Sequence, residues 1–214
     1  MINENKINNA ANIIDSMENV TIKRVKKDNG LLERSQSEKI ILVEGYMDAI
    51  SLYQRGITNV VASLGTALTE NQCRLLARYT KKVLLTYDSD AAGTNAALRA
   101  IPMLKEAGLS VAVINMKPYK DPDEFIKALG AEAYQERINQ AENSFMFELR
   151  IMEGQYDLKD PEGKTAFYNA IAKKLCSFTE KIERDIYVET VAAKYMIPVV
   201  DLQRLVGKYG MQMA

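Results

Sequence analysis

Five carboxylates, Glu44, Asp88, Asp90, Asp121 and Asp123, are the residues of this chain whose type and spacing suit chemistry. Glu44 directly follows the apolar run Ile40–Val43, Asp88 and Asp90 follow Val83–Tyr87, and Asp121 and Asp123 lie a short loop beyond Val111–Asn115. If those runs are strands of one open α/β sheet, the acids share the crevice beyond the strands' carboxyl ends, where such sheets bind ligands. Carboxylates packed that closely do not all stay ionised unless cations neutralise them, and a divalent ion meets that need. The sequence contains no histidine, so the ligands available are oxygens. Oxygen ligands favour hard Mg²⁺, allow Mn²⁺ and make zinc a poor candidate. Mg²⁺ held by a few carboxylates also binds substrate phosphates, which points to phosphoryl-transfer chemistry.

Each acid also has a structural reading. Asp121-Pro122-Asp123-Glu124 has a cap residue, a proline at the first helical position and a glutamate at the third, which is a good helix start. Asp88-Ser89-Asp90 before Ala91-Ala92-Gly93 suits an acidic turn at a helix N-terminus, and Glu44 alone is compatible with a simple loop acid. The joint placement of all three groups at strand ends favours a site. Gly65 and Thr66, just ahead of a helix start, suit either a phosphate contact through backbone N–H groups or an ordinary turn. Arg99 has an ordinary reading too, as a salt bridge or a solvated face.

The elements that must position these residues follow from periodicity. Ile40–Val43, Asn59–Ala62, Val83–Tyr87 and Val111–Asn115 are nearly continuous apolar runs, as expected of strands covered on both faces. Helices are expected over Met47–Arg55, Thr69–Tyr79 and Ala91–Glu106. Thr69 with Gln72 forms a capping box, and Gly56 and Gly108 mark the ends of the first and third helices. From about Ala131 the strands are expected to stop and helical periodicity to take over as far as Gly207, with Asp160-Pro161 and Ile197-Pro198 at helix starts. The resulting organisation is a polar arm over residues 1–38, an α/β domain over 39–130 and a helical subdomain over 131–214. In the arm, Lys23, Arg24, Lys26 and Lys27 suit phosphate contact or plain solvation.

Composition narrows the function classes. Apolar residues are 47% and charged residues 26% of the 214, which suits a folded chain rather than a disordered one. Lysine plus arginine equals aspartate plus glutamate at 28 each, so no overall basic field points to nucleic acid, and such binding needs local patches. No apolar stretch reaches the roughly 20 residues a bilayer span needs, and the opening residues lack a signal-peptide core, so a cytoplasmic location without membrane contact is expected. Cys73 and Cys176 stand far apart and outside any zinc motif, and are read as buried thiols.

The motifs themselves resemble a known family. Ile41-Leu42-Val43-Glu44-Gly45-Tyr46-Met47-Asp48, Ala62-Ser63-Leu64-Gly65-Thr66-Ala67-Leu68-Thr69, Tyr87-Asp88-Ser89-Asp90-Ala91-Ala92-Gly93 and Asp121-Pro122-Asp123-Glu124-Phe125 are similar to the Toprim domain of bacterial DNA primases. Glu followed much later by Asp-x-Asp is the general Toprim signature, shared with topoisomerases and some nucleases. Glu-Gly-Tyr-Met-Asp and Asp-Pro-Asp-Glu-Phe narrow it to primases. Asp160-Pro161-Glu162-Gly163-Lys164 and Glu183-Arg184-Asp185-Ile186-Tyr187 resemble the helical subdomain of the same polymerase core.

The resemblance implies a Toprim-type parallel sheet flanked by helices, then a small helical bundle. It implies metal-dependent nucleotidyl transfer that lays RNA primers on single-stranded DNA, with nucleoside triphosphates as substrate. Glu44, Asp88 and Asp90 match the catalytic acids, all five acids match metal positions, and Asp48 matches a further acidic position of the family's site. Whether Glu44 is a ligand or a general base stays open. A complete primase is also expected to carry a zinc-binding domain, a basic template-gripping subdomain and a helicase-binding domain. The first 38 residues hold no zinc ligands and do not resemble the basic part, and nothing of useful length follows Gly207. The sequence alone therefore leads to the expectation of a chain that binds metal and nucleotide but primes poorly by itself. Two other readings stand beside it: a Toprim nuclease or topoisomerase-like activity that cleaves DNA, and a non-catalytic primase remnant serving as a binding module.

Overall fold

Four short apolar runs pair side by side, and that pairing fixes where the acids go. The computed structural model describes residues 38–63 and 67–213; the arm, with Lys23, Arg24, Lys26 and Lys27, and the Gly65–Thr66 loop lie outside the described residues. The elements of the sheet region are β1 (Ile40–Val43), α1 (Tyr46–Gln54), β2 (Val60–Ala62), α2 (Glu70–Leu76), β3 (Lys82–Thr86), α3 (Ala91–Glu106), β4 (Ser110–Val113), α4 (Pro122–Asn139) and β5 (Glu142–Asn143). Strand order is β2-β1-β3-β4-β5. The first four strands are mutually parallel, and β5 joins β4 antiparallel through Val113 and Glu142. The sheet is thus mixed rather than wholly parallel.

Both faces of the sheet are covered, which is why the strands lack polar alternation. Ile41, Leu84 and Ala112 are partners in register, and they share a core with Ala49 and Leu52 of α1 and with Phe125, Ile126 and Tyr134 of α4. Successive residues of a strand face opposite sides. Ile40, Leu42, Val83 and Leu85 accordingly face the other way and are equally buried, as are Cys73 and Leu76 of α2 and Ile101 and Leu104 of α3.

Local signals set the helix ends. Thr69 caps α2 through a full capping box with Gln72. Gly56 and Gly108 hold positive φ just past α1 and α3, a conformation that costs glycine nothing. Gly130, with φ +83, breaks α4 into two segments. The chain does not leave the sheet at that break, because Tyr134 and Ile138 in the second segment still enter its core and β5 then adds an edge. A strand over Glu142–Asn143 corrects the expectation that strands end near Ala131: two polar residues leave no periodic trace, and only the free edge of β4 places them.

The chain divides into two compact units, one running through Phe147 and the other from Glu148. The division falls inside α5 (Ser144–Glu153). The second unit contains α6 (Pro161–Leu175), α7 (Lys181–Tyr195) and α8 (Val199–Met213). Its core is built on Phe167, fully buried and in aromatic contact with Tyr156, Tyr168 and Tyr195. Asp160 caps α6 by accepting from the Gly163 N–H at 2.8 Å. No helix among the described residues is long and apolar enough to cross a membrane.

Candidate active site

The strand order places β2 and β3 on opposite sides of β1, so the connections leaving β1 and β3 diverge at that point. In open α/β sheets this switch point is where a crevice opens beyond the carboxyl ends. Val43 and Thr86 are register partners at those ends, so Glu44 and the Tyr87–Asp88 segment emerge side by side. The Asp88 backbone N–H donates to the Glu44 carboxylate.

Two further connections bring the remaining acids in. Asp90 caps α3, its Oδ1 accepting from the Gly93 N–H at 2.8 Å. Gly93 is needed here: a Cβ at this position would stand 2.2 Å from the Asp88 carbonyl oxygen, so α3 begins hard against the Asp88 backbone only because residue 93 has no side chain. On the other side, the Ser89 N–H donates to the Lys120 carbonyl at 2.7 Å, tying the Asp88 loop to the loop before α4. Asp121 caps α4 by accepting from the Glu124 N–H at 2.8 Å. The helix-start readings of Asp90 and Asp121 are therefore correct as far as they go, and each cap engages one carboxylate oxygen.

Asp48 and Asp123 are linked directly. The Asp123 N–H donates to Asp48 Oδ1 at 3.1 Å, which joins α1 to the first turn of α4. Ser51, one turn beyond Asp48 on α1, donates its hydroxyl to Asp123 Oδ1 in a short hydrogen bond, and Lys127 Nζ lies 2.6 Å from Asp123 Oδ2.

The electrostatics of the group record this crowding. Burial pushes the Glu44 carboxyl above the usual range, and the charges of Asp88 and Asp90 add to it, while Arg99 pulls the other way. Asp88 is also raised, first by burial and then by Asp121 and Asp90, against the pull of Lys120. Asp48 is pushed up to about 6, chiefly by burial and further by Asp121 and Asp88, despite the N–H groups of Asp123 and Gly45. Asp123 goes the other way: burial would raise it, but the bonds from Lys127 and Ser51 prevail and hold it below the usual carboxylate value.

The fold thus gathers Glu44, Asp48, Asp88, Asp90, Asp121 and Asp123 into one electrostatically coupled group, with Arg99 and Lys120 close enough to act on it. The local sequence signals none of the parts played by Ser51, Gly93 and Lys120. Lys127 stands four residues after Asp123, the ordinary helical ion-pair spacing, which is a visible signal.

The donor set fits a hard divalent cation. All its ligand atoms are oxygens, and Glu44 Oε1 is buried without a hydrogen-bond partner beside the raised Asp88. Such an orphaned buried oxygen costs free energy until something pairs with it. Among the described residues no three His, Cys, Asp or Glu side chains are gathered closely enough to hold a metal ion.

Residues 41–126 match a family model described as Toprim-like. The matched segment runs from β1 into the first turn of α4, so the sheet half of the chain is similar to Toprim-like domains. Glu44, Asp48, Asp88, Asp90, Asp121 and Asp123 all fall within the matched segment. A DNA primase of Clostridium acetobutylicum is 39% identical over 166 residues, covering 78% of this chain and 28% of that protein. The crystal structure of the zinc-binding and RNA polymerase domains of the Aquifex aeolicus primase is similar at 38% identity and a TM-score of 0.58, over 77% of this chain and 39% of that one. A DnaG primase catalytic domain bound to single-stranded DNA is similar at 32% identity and a TM-score of 0.62, over 75% of this chain and 52% of that one. The likeness extends past residues 41–126 into the helices that follow, and the fold matches that of the corresponding part of the DnaG catalytic core. The chain spans between a quarter and two fifths of the length of the primases from C. acetobutylicum and A. aeolicus.

Proposed function

We propose that this chain contributes the metal-dependent nucleotidyl-transfer centre of a bacterial-type DNA primase, with nucleoside triphosphates as substrate and single-stranded DNA as template, acting in the cytoplasm during replication. The observation that carries the reading is Glu44: a buried, unpaired carboxylate oxygen at the switch point of the sheet, with Asp88 and Asp90 beside it. The relatives support the template, since one of the similar DnaG catalytic domains is bound to single-stranded DNA.

In this reading Asp88 and Asp90 are the principal ligands, with Asp90 using the oxygen its cap leaves over. Glu44 is a third ligand or takes the proton of an attacking hydroxyl, a task its raised pKa suits. Asp121 and Asp123 complete the shell from the α4 side. Asp48 holds the first turn of α4 in place through the Asp123 N–H. A bound Mg²⁺, for which Mn²⁺ is a substitute, supplies activation of a primer 3′-hydroxyl and neutralisation of the triphosphate. Arg99, which acts on Glu44, and Lys120, which acts on Asp88, would add positive charge for the phosphates of a nucleotide.

The test is Mn²⁺ binding to the full chain, followed by electron paramagnetic resonance with and without a nucleoside triphosphate. Saturable binding that the triphosphate strengthens, and that Asp88→Asn with Asp90→Asn abolishes, supports the reading. Binding that ignores the double substitution refutes it. Nicking of supercoiled DNA by the chain, lost in the same double variant, would replace polymerisation with cleavage at the same acids.

A further inference from the structure

Asp123 differs from its neighbours in being fully engaged. Its Oδ1 accepts from Ser51, its Oδ2 is 2.6 Å from Lys127 Nζ, and its backbone N–H is held by Asp48 at 3.1 Å. Glu44, by contrast, keeps a buried oxygen with no hydrogen-bond partner. A carboxylate already neutralised by a cation has little to gain from a second one unless the first leaves. The first can leave readily, since the Lys127 side chain is 57% exposed and sits on a flexible stem one helical turn from Asp123.

We infer that Lys127 is a tethered counter-cation that competes with the divalent ion for Asp123, so that Asp123 enters the metal shell only by exchanging Lys127 for the metal. The inference rests on the metal-binding reading proposed above and assigns Lys127 a role beside it. The exchange is of charge for charge: the ammonium leaves Oδ2 for solvent, and the carboxylate stays ionised throughout. Ser51 and Asp48 hold the Asp123 backbone and Oδ1, so Oδ2 is the atom exchanged. The arrangement keeps the acidic group partly neutralised at all times, and it limits how tightly the centre holds its cation.

The experiment is a double-mutant cycle read by calorimetric titration of the full chain with Mn²⁺ alone. Lys127→Met is expected to tighten Mn²⁺ binding about two- to fivefold, the range that ion pairs on helix surfaces span. The gain should vanish when Asp123→Asn is also present, and Lys127→Arg, which keeps the cation, should leave the affinity near that of the wild type. Lys120→Met serves as a charge control, because Lys120 acts on Asp88 and makes no bond to Asp123. Its effect should be the same with and without Asp123→Asn. A gain from Lys127→Met that persists in the Asp123→Asn background would show a general field effect and overturn the inference while leaving the metal reading intact. So would an unchanged or weakened affinity in Lys127→Met alongside normal, Asp88-dependent binding in the wild type. Failure of the wild type to bind Mn²⁺ would overturn both.

Discussion

Asp48 accepts the backbone N–H of Asp123 at 3.1 Å across 75 residues of sequence, so one acid of the site fastens the loop that carries another. The bond is between α1 and the first turn of α4, two helices that pack on each other. It is also made by a carboxylate that burial and like charges push to about 6, far above the ordinary aspartate value of 3.8.

That combination has a definite pH signature. Between about pH 4 and 6 the folded chain keeps the Asp48 proton while the unfolded chain has lost it, so this residue makes stability fall as pH rises through that window. Asp48→Asn preserves an oxygen for the Asp123 N–H and removes the titration. Its urea-denaturation stability is expected to lose the pH 4–6 decline due to Asp48 and to exceed that of the wild type at pH 7 by at most about 3 kcal/mol. An unchanged slope would remove Asp48 from the coupled group. Asp123 acts in the opposite sense: its depressed pKa contributes stability present above the ordinary aspartate value and lost on acidification.

Gly93 and Gly207 should respond oppositely to the same change. A Cβ at Gly93 would lie 2.2 Å from the Asp88 carbonyl oxygen, whereas at Gly207 it would meet nothing within 4 Å. Gly93→Ala is expected to destabilise by about 1–3 kcal/mol and to weaken Mn²⁺ binding by displacing Asp88. Gly207→Ala, within α8, is expected to stabilise by about 0.5–1 kcal/mol and to leave Mn²⁺ binding alone. Denaturation and metal titration of the two variants together check the contrast.

The two roles of Asp90 are separable. Asp90→Asn keeps a side-chain oxygen for the Gly93 N–H and removes the charge, so stability should hold while Mn²⁺ affinity falls at least about tenfold, a loss of roughly 1.4 kcal/mol. Asp90→Ala should lose both, with about 0.5–2 kcal/mol of stability going with the cap. Equal metal affinity in wild type and Asp90→Asn would reduce Asp90 to a cap alone.

How much of this was legible in the sequence depended on the range of each interaction. β1 and α3 begin and end where their apolar run and caps place them, because those signals lie within a few residues of one another. The convergence of Glu44 with Asp88 was also readable, since it needs only that two parallel strands be neighbours. Ser51 and Asp123 are 72 residues apart, and nothing local in either segment announces their bond. β5 is illegible in the sequence for a similar reason: Glu142 and Asn143 have no strand pattern, and the edge of β4 alone holds them. The break at Gly130 lay in plain view as a glycine, but its consequence did not, because the same glycine could end a domain or kink a helix that goes on to bury Tyr134.

The acids at the carboxyl ends of β1 and β3 are proposed to hold a divalent cation. The most direct measurement is a crystal structure of the chain grown with Mn²⁺, with the ion located by its anomalous scattering. An anomalous peak is expected within about 2.5 Å of carboxylate oxygens from Glu44, Asp88 and Asp90. A peak coordinated elsewhere, or none at saturating Mn²⁺, would contradict it.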